Sequence, residues 1–491
     1  MTAPPAAKLL DRPEQALGVL VAAQIAFWTL APALSYSTPP LDVVEMYAWG
    51  REGVVATFKH PNLPGLLLEG LRRATGAVGW PAYLLAQICI GVTFWAVFAL
   101  GREVMDARRA LAGVLMLTGV YFFSWVTPEF NHNVLQMPLW ALTVLMLWRA
   151  SARGRTIDWL LLGVLAGLGV WAKYSQLILL AVAVVWMLWD GEARKRLLTP
   201  GPWLALAAFA LVAAPQALWL RDNDFLPFAY AARRASGGGP LQALEFTLTQ
   251  VLNHAPMALL LLCAGFFGKR VAEGPAPPDA RAMRFLLFMG LGPVALSVLA
   301  GVFGMGLRAS WGAPMFSLSG LIVAAWLSGR FNAARLKRLA IGAGVLIVAV
   351  SALYFAHVRY GAAFTDDPLR GNWPRGAITR ALEREWLAET GVPLRVVAGD
   401  IWTAGLVGMG DAQAPSVLIN GDFEISPWVS RARAAREGVL LVWRADQTPP
   451  PGVQALGEGL PVQSARFPYR DFPNAPPLEL RYAIMPPDDR D

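Results

Sequence analysis

The stretch PAYLLAQICIGVTFWAVFALG, residues 81–101, decides the fold class, because it contains no Asp, Glu, Lys or Arg. A helix needs about 20 mostly apolar residues to cross the hydrocarbon core of a bilayer. Similar stretches recur along the chain, which is 56% hydrophobic and only 15% charged, whereas soluble domains carry about 25% charged residues. The pattern predicts an all-α polytopic membrane protein. Solid apolar blocks do not fit a β-barrel, whose strands alternate polar and apolar residues.

Eleven apolar segments predict about eleven transmembrane helices. Their approximate bounds are 16–36, 81–101, 110–126, 133–148, 159–172, 174–189, 202–220, 253–268, 285–303, 311–328 and 339–356. The fifth and sixth segments could instead form one span with a break near Lys173, which leaves ten spans as an alternative.

The net charge of +8 is unevenly distributed. Residues 1–356 hold 28 Lys and Arg against 17 Asp and Glu, whereas residues 357–491 hold 14 against 17. The basic residues concentrate on alternate loops, as the positive-inside rule requires of cytoplasmic loops. With eleven spans this predicts a cytoplasmic N-terminus, a C-terminus on the opposite side, and no role in binding nucleic acid. The loops at about 37–80 and 221–252 then lie on the outer side.

The composition changes after residue 356. A helical stretch near 377–389 is followed by strand-like runs at 394–398, 416–419, 439–443 and 478–484, separated by Gly and Pro turns. We therefore expect two domains, a transmembrane catalytic domain over 1–356 and a small extracytoplasmic α/β domain over 357–491.

The first outer loop carries two carboxylates, Asp42 and Glu45, three residues apart. On a helix they share a face just above the membrane, where a partly desolvated carboxylate can act as a general base. The alternative is a helix start, with Asp42 near the N-cap and Glu45 in the first turn.

A second outer turn, Thr127 to Asn133, is polar and lies between two apolar segments. Glu129, Asn131 and His132 could bind sugar hydroxyls, a phosphate or a metal. The alternative is a turn in which Asn131 or Asn133 caps the following helix.

Two further sites have a cation at the predicted membrane edge. Lys173 and Tyr174 interrupt an apolar hairpin, and Arg308 precedes Trp311 at the start of the tenth segment. A lysine or arginine can bind phosphate and a Trp can stack on a sugar, although snorkelling and aromatic-belt roles are alternatives. The two cysteines predict no disulfide framework or metal cluster, and no nucleotide-binding loop is present.

The order of these motifs resembles the membrane glycosyltransferases of the GT-C superfamily, glycosyltransferase family 39. That family includes protein O-mannosyltransferases, lipid A aminoarabinose transferases and lipopolysaccharide galacturonosyltransferases. The matching positions are Glu45-x-Tyr47-x-Trp49, His60-Pro61-Asn62-Leu63, Pro128-Glu129, Lys173-Tyr174 and Trp311-x-x-Pro314. The family's first acid falls on Val44 and its second Pro on Asn62, so either Asp42 or Glu45 is expected to be the base.

The resemblance implies a GT-C-like enzyme that moves a monosaccharide, with inversion at the anomeric carbon, from a polyprenyl-phosphate donor to an envelope acceptor (a lipid, a glycan or a protein). The reaction is expected at the outer face of a bacterial inner membrane. The Lys-Tyr match assigns donor-phosphate binding to Lys173 and Tyr174, and the position of Arg308 at the outer membrane edge adds it to this set. Substrate binding is expected from Lys59, His60, Glu129, Asn131, His132 and Trp311. No metal ligand is assigned, and a divalent metal requirement is left open. A flippase for a lipid-linked sugar and a non-catalytic scaffold are the alternative functions.

Overall fold

The computed structural model describes residues 9–271, 274–365, 368–409 and 414–488. The helices of the first 365 residues are α1 (Pro13–Ser35), α2 (Leu41–Arg51), α3 (Leu63–Thr75), α4 (Trp80–Val104), α5 (Ala107–Leu117), α6 (His132–Arg153), α7 (Thr156–Ala172), α8 (Gln176–Trp189), α9 (Gly191–Arg196), α10 (Pro200–Asp222), α11 (Leu226–Arg234), α12 (Pro240–Leu252), α13 (Ala255–Ala264), α14 (Ala280–Val302), α15 (Ser319–Trp326), α16 (Ala333–Tyr360) and α17 (Ala362–Thr365).

Within the described residues, seven helices are long and apolar enough to cross a membrane, namely α1, α4, α6, α10, α12 with α13, α14 and α16. Two shorter apolar helices, α7 and α8, follow α6. The mostly helical membrane fold is confirmed. The count of about eleven spans stays a prediction, because α5 and α15 are only 11 and 8 residues long.

The prediction of a loop over 221–252 is wrong in one respect, because this range contains helices α11 and α12. The long helix over 240–264 begins 13 residues before the apolar segment predicted at 253–268. The polar residues Gln242, Glu245 and Gln250 interrupt the apolar run in the sequence, but they do not prevent helical backbone hydrogen bonding.

Helices α7 and α8 are separate elements that run in opposite directions. Gln176, at the start of α8, hydrogen-bonds to Gln136 near the start of α6. Arg196, at the end of the short helix α9 that follows α8, hydrogen-bonds to the backbone of Ala152 at the end of α6. Because α6 and α8 therefore run parallel, α7 between them must run the other way.

Small residues allow α7 to pack closely on α10. A Cβ atom placed on Gly163 would lie 2.1 Å from the carbonyl oxygen of Ala205. A Cβ on Gly167 would lie 2.7 Å from Val212, farther along both helices. Membrane helix interfaces are enriched in small residues such as glycine, because these let the two backbones approach closely.

By its contacts the chain forms two compact units. The first, here called the membrane unit, comprises the described residues of Met1–Thr29, Lys59–Pro61 and Leu84–Ala352. The second, here called the sheet unit, comprises those of Leu30–Phe58, Asn62–Tyr83 and Leu353–Asp491. Most of the first predicted outer loop therefore clusters with the C-terminal residues, and a functional division at residue 356 stays a prediction.

The C-terminal part of the sheet unit is a five-stranded sheet with short helices. Its elements are α18 (Arg375–Thr390), β1 (Val396–Gly399), α19 (Thr403–Gly408), β2 (Ser416–Ile419), α20 (Arg431–Glu437), β3 (Val439–Arg444), α21 (Pro451–Leu456), β4 (Gln463–Phe467) and β5 (Leu478–Met485). The strand order is β2-β1-β3-β5-β4. β1 pairs in parallel with β2 and β3, whereas β5 pairs antiparallel with β3 and β4.

The predicted small α/β region is confirmed, with one strand missed. The predicted helix and four strands match α18, β1, β2, β3 and β5. β1, β2 and β3 are almost wholly buried, so they appear as apolar runs in the sequence. β4 lies at the sheet edge and four of its five residues are at least partly exposed, which removes the apolar pattern.

Candidate active site

In the membrane unit, Lys173 lies in the break between α7 and α8. Its backbone is extended, with φ −165° and ψ 137°, so the helix ends there. The side chain is only 8% exposed, and its ammonium donates a hydrogen bond to Asn133 Oδ1 at 2.6 Å. The same ammonium lies 5.8 Å from the ring centroid of Trp311. The structure thus brings the predicted residues Lys173 and Trp311 together.

Two imidazole rings lie in the same unit. The ring centroids of His60 and His132 are 4.3 Å apart, and His132 Nε2 donates to the carbonyl oxygen of Pro61 at 2.9 Å. Because a carbonyl oxygen only accepts, Nε2 of His132 must carry the hydrogen. Burial lowers the pKa of His60 well below its ordinary value, and the positive charges of Lys173 and Lys59 add to this effect. His60 is therefore a neutral imidazole at neutral pH, able to donate and accept hydrogen bonds.

The turn before α6 is partly a helix cap. Asn131 is the N-cap residue, and its side-chain oxygen accepts hydrogen bonds from the backbone N–H groups of Asn133 and Val134. This matches the capping alternative for Asn131, while its contact with substrate stays a prediction. Glu129, in the same turn, is half-buried. The structure therefore assigns at least one of the polar side chains in this turn to local backbone hydrogen bonding.

Tyr174 and Arg308, the other two residues predicted to bind the donor phosphate, contact different residues of the membrane unit. The Tyr174 hydroxyl donates to Gln216 Oε1 at 3.0 Å, and its ring stacks on Phe228 with centroids 5.2 Å apart. Arg308 is exposed, and its carbonyl oxygen accepts from the backbone N–H of Trp311. Phosphate binding by either residue stays a prediction.

A buried row of polar side chains continues from the Lys173 break into the helices. Ser175 Oγ donates to Gln136 Oε1 at 3.0 Å, Gln136 Nε2 donates to Gln176 Oε1 at 3.4 Å, and Gln176 Nε2 donates to Thr143 Oγ1 at 3.3 Å. These residues and Asn133 were not among the site residues predicted from the sequence. Polar residues inside apolar segments were the signal that could have found them.

An apolar cavity of about 680 Å³ lies along α8 in the membrane unit. It extends from Leu177, four residues after Lys173, to Leu188, and residues of α7 and α10 line its other sides. At 1.5 Å per residue this stretch of α8 is about 17 Å long. The cavity therefore has the shape and chemistry to hold an extended hydrocarbon chain.

In the sheet unit, both predicted base candidates lie on α2. Asp42 is half-buried, whereas Glu45 is buried at 7% exposure. The N-cap is Pro40, so Asp42 lies inside the first helical turn. The structure thus confirms that both lie on one helix with a spacing of three, and catalysis by either stays a prediction.

The α2–α3 pair is held together at close range. A Cβ atom on Gly50 would lie 2.0 Å from the carbonyl oxygen of Gly65. Asn62 Nδ2 donates to the carbonyl oxygens of Trp49 and Val54 at 3.0 and 2.8 Å. A proline, which the family motif has at this position, could not make these side-chain hydrogen bonds, so Asn62 fixes the loop by a different means.

A buried ion pair lies on α3. Arg72 donates through Nε and Nη2 to both carboxylate oxygens of Glu69, at 2.7 and 2.8 Å, and Arg73 Nε adds a third hydrogen bond at 2.7 Å. Burial alone would raise the pKa of Glu69, but the two guanidinium groups outweigh it and lower the pKa. Glu69 is therefore a structural anion rather than a proton acceptor.

Among the residues that the structure describes, no group of three or more His, Cys, Asp or Glu side chains is arranged to hold a metal ion. A divalent metal requirement stays an open hypothesis.

Comparisons with known proteins now identify the class. Residues 59–219 match the family described as dolichyl-phosphate-mannose-protein mannosyltransferase. The chain is 27% identical over 368 residues to the lipopolysaccharide core galacturonosyltransferase RgtA of Rhizobium johnstonii, covering 71% of this chain and 70% of RgtA. It is 26% identical to RgtB of the same organism, covering 58% of each chain.

The fold is also that of a solved structure. The crystal structure of ArnT from Cupriavidus metallidurans bound to undecaprenyl phosphate matches with a TM-score of 0.64 and 13% identity, covering 94% of this chain and 97% of ArnT. The chain therefore shares the fold of ArnT, and the family match and the two relatives support a membrane glycosyltransferase. The resemblance to glycosyltransferase family 39 predicted from its motifs is confirmed.

Proposed function

We propose that the chain transfers a monosaccharide from a polyprenyl-phosphate donor to an acceptor of the bacterial envelope, with inversion at the anomeric carbon. The two galacturonosyltransferase relatives act on the lipopolysaccharide core, and the ArnT structure holds undecaprenyl phosphate. These names favour a lipid-linked donor and a lipopolysaccharide acceptor over a protein or another glycan. They also favour a transferase over a flippase or a scaffold.

The observation that carries the proposal is the buried ammonium of Lys173 beside the apolar cavity along α8. A polyprenyl phosphate has an anionic headgroup on a long hydrocarbon chain. Lys173, four residues before Leu177 at one end of the cavity, offers a charge for the phosphate, and the cavity offers an apolar surface for the chain. A buried cation stabilises a nearby phosphate more strongly than an exposed cation does, because water screens it less.

The proposed reaction is a single displacement. Asp42 or Glu45 takes the proton from an acceptor hydroxyl as its oxygen forms a bond to the anomeric carbon. The bond from that carbon to the phosphate oxygen breaks, and the polyprenyl phosphate leaves with the electron pair. Lys173 stabilises the charge that develops on the phosphate. His60, a neutral imidazole, and Trp311 are proposed to bind the sugar through hydrogen bonds and stacking.

We further propose that the reaction takes place on the outer side of a bacterial inner membrane. The loop charges support a cytoplasmic N-terminus and an extracytoplasmic C-terminal region, since Lys and Arg concentrate on alternate loops. Labelling of single cysteines introduced near Thr390 and near Arg335 with a membrane-impermeant reagent tests this. Outside labelling at the first position only is expected.

The first prediction concerns the base. Asp42→Asn and Glu45→Gln remove a proton acceptor while preserving shape, and the variant that lacks the true base should lose about 10²- to 10⁴-fold in kcat. The measurement is sugar transfer from a synthetic polyprenyl-phosphate sugar to lipopolysaccharide by the reconstituted protein. Glu389→Gln, an exposed position on α18, is the matched control. Near-normal transfer by both Asp42→Asn and Glu45→Gln would contradict the assignment.

A further inference from the structure

A second cavity of the membrane unit, of about 660 Å³, lies at one end of α1, α4 and α6. One part of its wall is charged and the other part is apolar. The charged residues are Glu14, Arg102, Glu103, Arg149 and Arg153, and the apolar residues are Leu17, Trp95, Phe98 and Ala99. Small-molecule sites usually have volumes of about 300–1,000 Å³. The cavity is therefore large enough for a ligand that is ionic at one end and apolar at the other.

This cavity lies at the membrane surface opposite to Lys173. Lys173 contacts Asn133 at the start of α6, whereas Arg149 and Arg153 lie at the end of the same helix. At 1.5 Å per residue, α6 rises about 24 Å from Asn133 to Arg149 and about 30 Å to Arg153, which equals the hydrocarbon thickness of about 30 Å. In the orientation proposed above, the charged end of the cavity faces the cytoplasmic leaflet and is separate from the proposed donor site.

Guanidinium groups outnumber carboxylates in this cavity, three to two. Glu103 accepts hydrogen bonds from Arg149 Nε, at 3.1 Å, and from Arg153 Nη2. Glu14 pairs with Arg102 at 2.8 Å, so one positive charge is left over. Within the part of the chain that the structure describes, Arg149 hydrogen-bonds only through Nε. Its two Nη groups are therefore left to donate to an anion.

Arg102 and Arg149 differ in how far water reaches them. Arg102 and its partner Glu14 are 51% and 55% exposed, and an ion pair this exposed contributes little to stability. Arg102 can therefore exchange the carboxylate for another anion at little cost. Arg149 is only 24% exposed, so water screens its charge less. An anion that enters past Arg102 thus meets a stronger field at Arg149.

The apolar part of the wall extends from the charged end toward the interior of the bilayer. Trp95, Phe98 and Arg102 follow one another at spacings of three and four, so they lie on one face of α4. Trp95 is about 10 Å from Arg102 along the helix, and 50% of its side chain is exposed. Because α4 is long and apolar enough to cross a membrane, the exposed indole meets hydrocarbon. A ligand with its anionic group at the arginines can therefore place hydrocarbon chains against Trp95.

We propose that this cavity binds an anionic glycerophospholipid of the leaflet opposite to Lys173. The lipid phosphate accepts hydrogen bonds from Arg102 and from the Nη groups of Arg149, and the acyl chains pack against Trp95 and Leu17. Arginine suits this role because its planar guanidinium binds phosphate through two parallel hydrogen bonds. Basic pockets between membrane helices recognise anionic lipid headgroups in the same way.

The excess positive charge selects an anionic lipid over a zwitterionic one. A free phosphate ion offers the same oxygens to the guanidinium groups, but only a lipid phosphate also uses the apolar wall. The lipid contacts α1, α4 and α6 together and takes no part in the reaction. The inference therefore does not depend on the proposed sugar transfer.

The test measures lipid binding to the full-length protein in detergent micelles by native mass spectrometry. Phosphatidylglycerol, phosphatidylcholine and polyprenyl phosphate are titrated separately. The double variant Arg102→Gln/Arg149→Gln should weaken phosphatidylglycerol binding about 10-fold or more, because it loses two charge-assisted contacts. Binding of phosphatidylcholine and of polyprenyl phosphate should stay unchanged.

Three further variants control for charge and folding. Lys195→Gln removes a charge that is 74% exposed, next to Arg196, which contacts the end of α6 at the same surface; it should leave phosphatidylglycerol binding unchanged. Arg149→Lys keeps the charge without the planar fork and should bind with intermediate affinity. Arg102→Gln alone changes an exposed side chain and should weaken binding in the same direction even if the double variant is unstable.

Competition with inorganic phosphate distinguishes the two sources of the anion. Inorganic phosphate in large excess should not displace phosphatidylglycerol; displacement would assign the arginines to a free phosphate and overturn the proposal. Phosphatidylglycerol binding that the double variant leaves unchanged, or that Lys195→Gln weakens equally, also overturns it. An equal loss of phosphatidylcholine or polyprenyl phosphate in the double variant refutes the choice of an anionic glycerophospholipid. The proposed donor site fails separately, if Lys173→Gln leaves polyprenyl phosphate binding unchanged.

Discussion

The replacement Lys173→Gln tests how the donor phosphate is bound. Glutamine is neutral and one bond shorter than lysine, and it keeps an N–H donor on the side of Asn133 Oδ1, which the ammonium contacts at 2.6 Å. The variant therefore loses the charge and keeps a polar side chain at this position. A hydrogen bond to a charged group contributes about 1.5–3 kcal/mol, and 1.4 kcal/mol corresponds to a tenfold change in affinity. The dissociation constant for polyprenyl phosphate should rise about 10- to 100-fold.

The Lys173→Gln variant is not expected to lose binding through a loss of folding stability. Lys173 is 8% exposed, and burying a charge costs free energy, so a neutral side chain should leave the melting temperature unchanged or slightly higher. Native mass spectrometry of the reconstituted protein with polyprenyl phosphate measures binding directly. Lys195→Gln is the matched control, since Lys195 is 74% exposed and pairs with Glu192.

A second variant places a negative charge beside Lys173. Asn133→Asp would put a carboxylate against the Lys173 ammonium and occupy it with an ion pair, so phosphate binding should fall as strongly as in Lys173→Gln. If both variants bind polyprenyl phosphate within about twofold of wild type, the phosphate does not bind at Lys173, and the assignment of the cavity to the donor chain fails with it.

Two further predictions concern stability. Gly163→Ala would place a Cβ 2.1 Å from the backbone oxygen of Ala205 and should destabilise the fold by about 1–3 kcal/mol, because it forces α7 away from α10. Gly344→Ala is the control, since its Cβ would have open space around it and should cause no such loss. Equal melting temperatures for the two variants would contradict this packing. Glu69→Gln leaves the buried Arg72 without its anion and should cost about 3–5 kcal/mol. Because folding lowers the pKa of Glu69, its contribution is complete at neutral pH and is lost as pH falls from about 4.3 through the lower folded value. Melting temperatures between pH 7 and pH 3 should fall in this range for wild type and stay flatter for the variant; parallel curves would contradict it.

The membrane helices were predictable because long apolar segments have few other stable structures. The predicted bounds failed where polar residues interrupt an apolar helix, as Glu245 and Gln250 do in α12. The buried strands of the sheet were predictable for the same reason, whereas the exposed edge strand β4 was not.

The candidate site was predictable only in part. The break at Lys173 and the acidic helix α2 stood out because a charge beside an apolar segment is costly and therefore rare. The residues that contact them in the fold could not be identified from the sequence. Asn133 meets Lys173 across 40 residues of sequence, and Arg375 acts on Tyr47 across more than 300. Such pairs depend on tertiary packing, which residue spacing does not encode.

The shortness of α7 and α8 has a consequence for the lipid around them. They contain 17 and 14 residues, so they are about 26 and 21 Å long, against a hydrocarbon thickness of about 30 Å. A bilayer meets such a mismatch by thinning locally. We therefore expect the lipid headgroups next to this hairpin to lie closer to Lys173, which would shorten the path of a membrane-bound phosphate from the surface to this buried charge.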